Sequence, residues 1–162
     1  IGKFICDSPA LITYFRFMVE MAGSSGFIDD RLTSGFIALE VLFPDDSLHK
    51  KKVSRALGIS ETTAELIVEL RNRMFHHGES ISGAIESIHA KKRAHVRSPL
   101  NPILKQLIGQ RNVNYILYSS FADLMFTHFA ESVGLDKDSL NFGSEIDLRD
   151  NDWFNNLPNT NI

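Results

Sequence analysis

Ser60-Glu61-Thr62-Thr63-Ala64-Glu65-Leu66-Ile67-Val68-Glu69-Leu70-Arg71-Asn72-Arg73-Met74-Phe75-His76-His77-Gly78 reads as one helix with both ends marked. Ser60 suits the N-cap, because its hydroxyl can accept from an amide that the first turn leaves unpaired. Glu61 follows in that turn, where the helix dipole favours negative charge. Ala64, Ile67, Val68, Leu70, Met74 and Phe75 supply a buried face at helical spacing. Gly78 ends the helix, since glycine tolerates the left-handed conformation that commonly follows a last turn. Two Arg, one Asn and two His crowd that end.

Helices are expected on both sides of this one. Residues 9–22 form the first, with Ser8 as cap and Pro9 in the opening turn, and Gly23-Ser24-Ser25-Gly26 as the joint after it. Residues 27–43 form the second, on the stripe Leu32, Phe36, Leu39 and Phe43, and Pro44-Asp45-Asp46 stops it. A short basic helix over 46–57 closes at Gly58. After Gly78 come helices at 80–95, at 101–108 with Asn101 as cap, and at 112–133, ended by Gly134. No stretch alternates apolar and polar residues as a half-buried strand does. The expected fold is therefore all-α, an up-and-down bundle of four to six helices over 1–134. A polar Asn/Asp-rich tail at 135–162 is expected to pack loosely, with Trp153 and Phe154 as pins.

Composition narrows the class. The chain has 162 residues, 43% hydrophobic and 23% charged, which suits one globular domain with its own core. Its single cysteine, Cys6, has no internal partner for a disulfide, so a reducing, cytoplasmic setting is expected. No run reaches the roughly 18 apolar residues of a membrane span. The most apolar stretch, 115–130, is broken by Ser119, Ser120, Asp123 and His128. No basic-then-apolar leader opens the sequence, and its first residue is Ile rather than Met, as expected of a piece of a longer chain. The net charge of −3 argues against coating a nucleic acid by bulk charge. Two local basic runs remain, Lys50-Lys51-Lys52 with Arg55 and Lys91-Lys92-Arg93 with Arg97. Each is either a solvated helix face or a track for RNA.

The candidate chemistry lies at 71–77. Histidine titrates near neutrality and serves as proton donor or acceptor, and arginine presents a fork of donors to phosphate oxygens. Asn72 lies one turn before His76 on the same face and can orient its ring or bind a phosphate. Arg71 and His76, five residues apart, sit about 140° apart around an ideal helix, so Arg71 must reach across. Arg73 and His77 are supporting candidates, His77 also as a cap for the helix end. Glu40 lies in the apolar run Phe36-Ile37-Ala38-Leu39-Glu40-Val41-Leu42-Phe43. It is expected on an exposed edge or paired with an arginine, or else as a supporting residue that holds Arg71 or His76 in place. His49, His89, His95 and His128 show no metal-ligand spacing, and neither a Gly-rich phosphate loop nor a Gly-x-Ser-x-Gly elbow is present, so no metal or cofactor is expected.

Arg71-Asn72-Arg73-Met74-Phe75-His76, followed by His77-Gly78, resembles the signature of HEPN domains: Arg, a polar residue, three residues, then His. The Ala38-Leu39-Glu40-Val41-Leu42 segment is similar to an Ala-Leu-Glu-x-Leu element found in several of these families. The likeness covers roughly residues 30 to 80. It implies a metal-independent endoribonuclease with Arg71, Asn72 and His76 as catalytic residues. Such enzymes work as homodimers in which two motifs share one cleft, and they leave 2′,3′-cyclic phosphate and 5′-hydroxyl ends. A toxin or anti-phage effector, neutralised by an antitoxin partner, is one role the resemblance allows. The alternative is a non-catalytic dimerisation or nucleotide/RNA-binding module of a larger defence or regulatory protein.

Overall fold

Seven α-helices and one short 3-10 turn make up the secondary structure of the computed structural model, which describes residues 9–23, 26–43, 48–93, 98–136 and 146–157; no strand occurs among them. The helices are α1 (Pro9–Ala22), α2 (Ile28–Val41), α3 (Lys50–Leu57), α4 (Glu61–His77), α5 (Ile81–Arg93), α6 (Leu100–Ile108) and α7 (Val113–Ser132), and the 3-10 turn is Trp153–Asn156. The all-α class is as expected, and each of the seven helices overlaps a segment read as helical, although the bundle itself was expected to number four to six. Cys6, Ser8, Ser24, Ser25, Pro44-Asp45-Asp46, His95, Arg97 and Glu145 lie outside the described residues.

The caps explain the boundaries. Ser60 accepts a hydrogen bond from the Thr63 amide at 3.0 Å, and Gly78 closes α4 in the left-handed conformation at φ 64°. The His49 side chain accepts from the Lys51 amide at 3.3 Å and opens α3, four residues later than the sequence suggested. Asn101 is not a cap: α6 begins at Leu100, and the Asn101 amide group points to the Lys92 carbonyl, 3.5 Å away. Asp29, in the first turn of α2, accepts from the Ile81 amide at 2.8 Å and so caps α5 from a distant part of the chain.

Helix α7 is apolar on most of its circumference and becomes the central post. It packs against α1, α2, α3 and α5. A Cβ on Gly35 would run into Met21 Sδ and the Phe121 ring, so this glycine sets how closely α2 approaches α1 and α7. Helix α4 packs against α2, α3, α5 and α6. The C-terminal segment is tighter than the loose tail expected: Ile146, Leu148, Trp153 and Leu157 join the same core. Trp153 is 1% exposed, and its indole N–H donates to the Thr63 hydroxyl at 3.1 Å. No helix among the described residues is long and apolar enough to cross a membrane.

A second tie joins α1 to α7. The buried Tyr14 hydroxyl donates to the Met125 carbonyl at 3.0 Å and lies 3.3 Å from His128 Nδ1. With its proton committed to Met125, the tyrosine oxygen is left to accept from Nδ1–H. Burial pushes the Tyr14 hydroxyl far above the ordinary tyrosine range. Burial also holds His128 below its ordinary value, with a lesser push in the same direction from Arg149 and an opposing one from Glu131.

Two outcomes follow. Trp153→Ala should cost about 3–5 kcal/mol, and Trp153→Phe, which loses the bond to Thr63, a smaller amount, both read from urea midpoints. A loss below about 1 kcal/mol for the alanine variant would contradict the burial. For His128 the folded value lies below the unfolded one near 6.5, so the unfolded chain takes up the proton first. The stability due to neutral His128 is thus present above about pH 6.5 and lost as pH falls through the lower folded value. Denaturation between pH 7.5 and 5 should show a steeper loss in the parent chain than in His128→Gln, and equal slopes would remove the role assigned to this ring.

Candidate functional site

The last two turns of α4 face the C-terminal end of α2, and there the sequence candidates converge. Arg71 sends Nη2 to Glu40 Oε1 and donates from Nη1 to Asn72 Oδ1 at 2.9 Å. The same Nη1 lies 3.3 Å from His76 Nε2. The long arginine side chain thus closes the 140° gap between the two positions. A guanidinium has only donors, so a hydrogen bond in this contact requires Nε2 of His76 to accept. The guanidinium also lies over the Phe75 ring, 5.0 Å from its centroid. Phe75 is 37% exposed, so it serves as a platform beside the site and not as the core residue expected. Thr63 and Leu66, which the sequence reading left out of the buried face, take such places instead.

Glu40 is half-buried and paired with Arg71. It occupies the last turn of α2, where the dipole disfavours a carboxylate. Arg71 offsets that cost. The Arg71 Nε is buried without a hydrogen bond among the described residues.

These side chains open onto a cleft of about 860 Å³. Arg71, Asn72 and His76 line it from α4, with Glu40, Ile37 and Val41 from α2. Phe43 and Leu48 continue the wall, and Pro9, Ala10 and Thr13 of α1 form the far side. The volume is within the range of pockets that hold small organic ligands. The α1 wall went unforeseen, because nothing in 9–13 carries a chemical signature. The wall on α2 had a signal, since Ile37, Glu40 and Val41 share one face at i, i+3 and i+4.

The remaining candidates lie elsewhere. Arg73 pairs with Glu79 at 3.3 Å, and His77 is exposed at the helix end; neither lines the cleft. Of the residues read as an RNA track, Lys50 and Lys92 both bind Glu65, at 2.6 and 2.7 Å. Lys91 and Lys92 also meet Glu69, at 3.5 and 3.4 Å. Burial pushes the Glu65 carboxyl up, but the bonds from Lys50 and Lys92 outweigh it and hold the group below its ordinary value. For Lys92, burial pulls down and the two glutamates outweigh it upward. Lys51, Lys52 and Arg93 are exposed. None of the six lines the cleft. No cluster of three or more His, Cys, Asp or Glu side chains fit for a metal occurs among the described residues.

The Glu40–Arg71 pair should be measurable as a coupling. A double-mutant cycle of Glu40→Gln and Arg71→Met, read by urea unfolding, should give about 1–2 kcal/mol, and a value indistinguishable from zero would dissolve the pair. No protein-family model matches this chain, and neither the search of curated proteins nor that of solved structures returned a match.

Proposed function

We propose that this chain is a metal-independent endoribonuclease of the HEPN type, active as a homodimer in which two copies of the Arg71–Asn72–His76 cluster share one RNA backbone. The observation that carries the reading is the 3.3 Å contact between Arg71 and His76 at the edge of an open cleft. In this scheme the Arg71 donor that faces Nε2 of one His76 turns to the phosphate, and the 2′-hydroxyl of one ribose gives its proton to that nitrogen. The hydroxyl oxygen bonds to the adjacent phosphorus, the bond from phosphorus to the 5′-oxygen breaks, and the second copy's His76, protonated, donates a proton to that leaving oxygen. The products are a 2′,3′-cyclic phosphate and a 5′-hydroxyl. Arg71 supplies donors to the phosphate oxygens as their charge grows. Glu40 is a positioning residue that holds the guanidinium. A toxin or anti-phage effector held in check by an antitoxin, in the cytoplasm, is the setting that suits such an activity.

One feature favours a second reading, a non-catalytic dimerising or nucleotide/RNA-binding module of a larger protein. Both terminal nitrogens of Arg71 are already engaged, one of them by a carboxylate that competes with phosphate.

Incubation of total RNA with the protein in EDTA distinguishes the two. Cutting should persist, leave cyclic phosphate ends, and fall by about 10²–10⁴ in His76→Ala. Absence of cutting by a confirmed dimer supports the module. Light scattering over a concentration series should show a dimer, and a strictly monomeric chain would remove the shared site.

A further inference from the structure

A second cavity, of about 320 Å³, lies at the other end of α2 from Glu40 and shares no lining residue with the cleft at Arg71. Ile28 at the start of α2, residues of α5, and the junction of α6 with α7 enclose it. Its walls are tied to one another. The Ser82 hydroxyl donates to Asn114 Oδ1 at 3.2 Å, which joins α5 to α7, and the bond from the Ile81 amide to Asp29 joins α5 to α2. Small-molecule sites are commonly pre-formed in this way, with apolar walls and a few polar groups that fix orientation.

Three of the lining side chains, Ile85, Leu107 and Val113, are buried, and all three are aliphatic. Glu86 and Arg111, also in the lining, are exposed and carry opposite charges. Neither forms an ion pair or a hydrogen bond among the described residues, with the other or with a third group. The guanidinium of Arg71, by contrast, is committed to Glu40 and Asn72. An arginine fork matches a carboxylate, and a glutamate accepts from an ammonium. The cavity is small, so a ligand that meets both must carry its two charges close together. Aliphatic walls add the need for a hydrocarbon body. A free amino acid with an aliphatic side chain joins all three parts at its α-carbon.

We propose that this cavity binds a free aliphatic amino acid, with its carboxylate on Arg111, its ammonium on Glu86 and its side chain against Ile85, Leu107 and Val113. The assignment is independent of the cluster at Arg71 and of RNA cutting. An ion pair at an exposed side chain contributes little by itself. A zwitterion makes two such pairings at a single cost in translational freedom, and its hydrocarbon leaves water in the same event.

NMR titration of the full chain, followed at the amides of Glu86, Arg111 and Tyr115, tests this. L-leucine should give saturable shifts there in the millimolar range. Glycine, which keeps both charges and lacks the side chain, should bind at least about tenfold more weakly. L-leucinamide lacks the carboxylate and N-acetyl-L-leucine the ammonium, so each should lose about fivefold; they also stand in for the two ends of a peptide. Arg111→Gln should abolish the preference for leucine over leucinamide, and Glu86→Gln the preference over N-acetyl-leucine. Both side chains are exposed, so neither change disturbs the core. Absence of saturable shifts with leucine overturns the proposal on the parent chain alone. Any analogue that binds as tightly as leucine overturns it too, leucinamide or N-acetyl-leucine doing so in favour of a peptide end. Preferences that survive the glutamine variants remove the roles given to Arg111 and Glu86, and the proposal with them.

Discussion

The pair between Glu40 and Arg71 resolves a conflict that neither helix can resolve alone. Helix α2 ends with a carboxylate at its negative pole, amid a run of apolar residues. Helix α4 carries a partly buried guanidinium in its interior, with 19% of that side chain exposed. Each group by itself would be costly to withdraw from water, and together they offset one another. The pair also fixes distance and orientation, because an arginine fork is planar and directional. From that fixed point follow the reach to Asn72, the contact with His76 and the stacking on Phe75. The cleft opens where it does because α2 is held there against α4.

Helix α4 is anchored on its other sides by different means. Glu65 and Glu69 engage Lys50 of α3 and Lys91 and Lys92 of α5. At its N-terminal end, Thr63 accepts from Trp153 of the C-terminal segment. These ties leave α4 little freedom to shift, which suits a helix that must present several polar groups in one arrangement. They also use up basic charge that might otherwise attract RNA. A lysine run in sequence is a solvated face only when no acid on a neighbouring helix meets it, and here two do.

The legible part of the structure was the part written in local rules. The caps at Ser60 and Gly78, the class of the fold and the position of the Arg–His cluster all follow from residues within a few turns of one another. What stayed hidden depends on partners distant in sequence. Trp153 lies 90 residues from the Thr63 it binds. Asp29 caps a helix 52 residues downstream. Asn101 was misjudged for the converse reason: its propensity for a cap is real, but Pro99 already fixes the backbone that precedes α6. Phe75 was assigned to the core by its spacing, but it is partly exposed, with the guanidinium of Arg71 over its ring.

The charge balance of the cluster bears on how it would act. The opposite charges of Glu40 and Arg71 face one another at the edge of the cleft. The chain as a whole is negative. Long-range attraction therefore contributes little to seating a phosphate here, and Lys50, Lys91 and Lys92 are paired with Glu65 and Glu69. What the cluster has instead is direction: Glu40, Asn72 and the Phe75 ring fix the plane of the Arg71 guanidinium. Locked dipoles of this kind favour the more highly charged transition state over the ground state more than a diffuse positive field would, because a field attracts both. On the proposed reading, a rigid cluster of this kind would discriminate between states of a bound phosphodiester better than it would gather nucleic acid from solution.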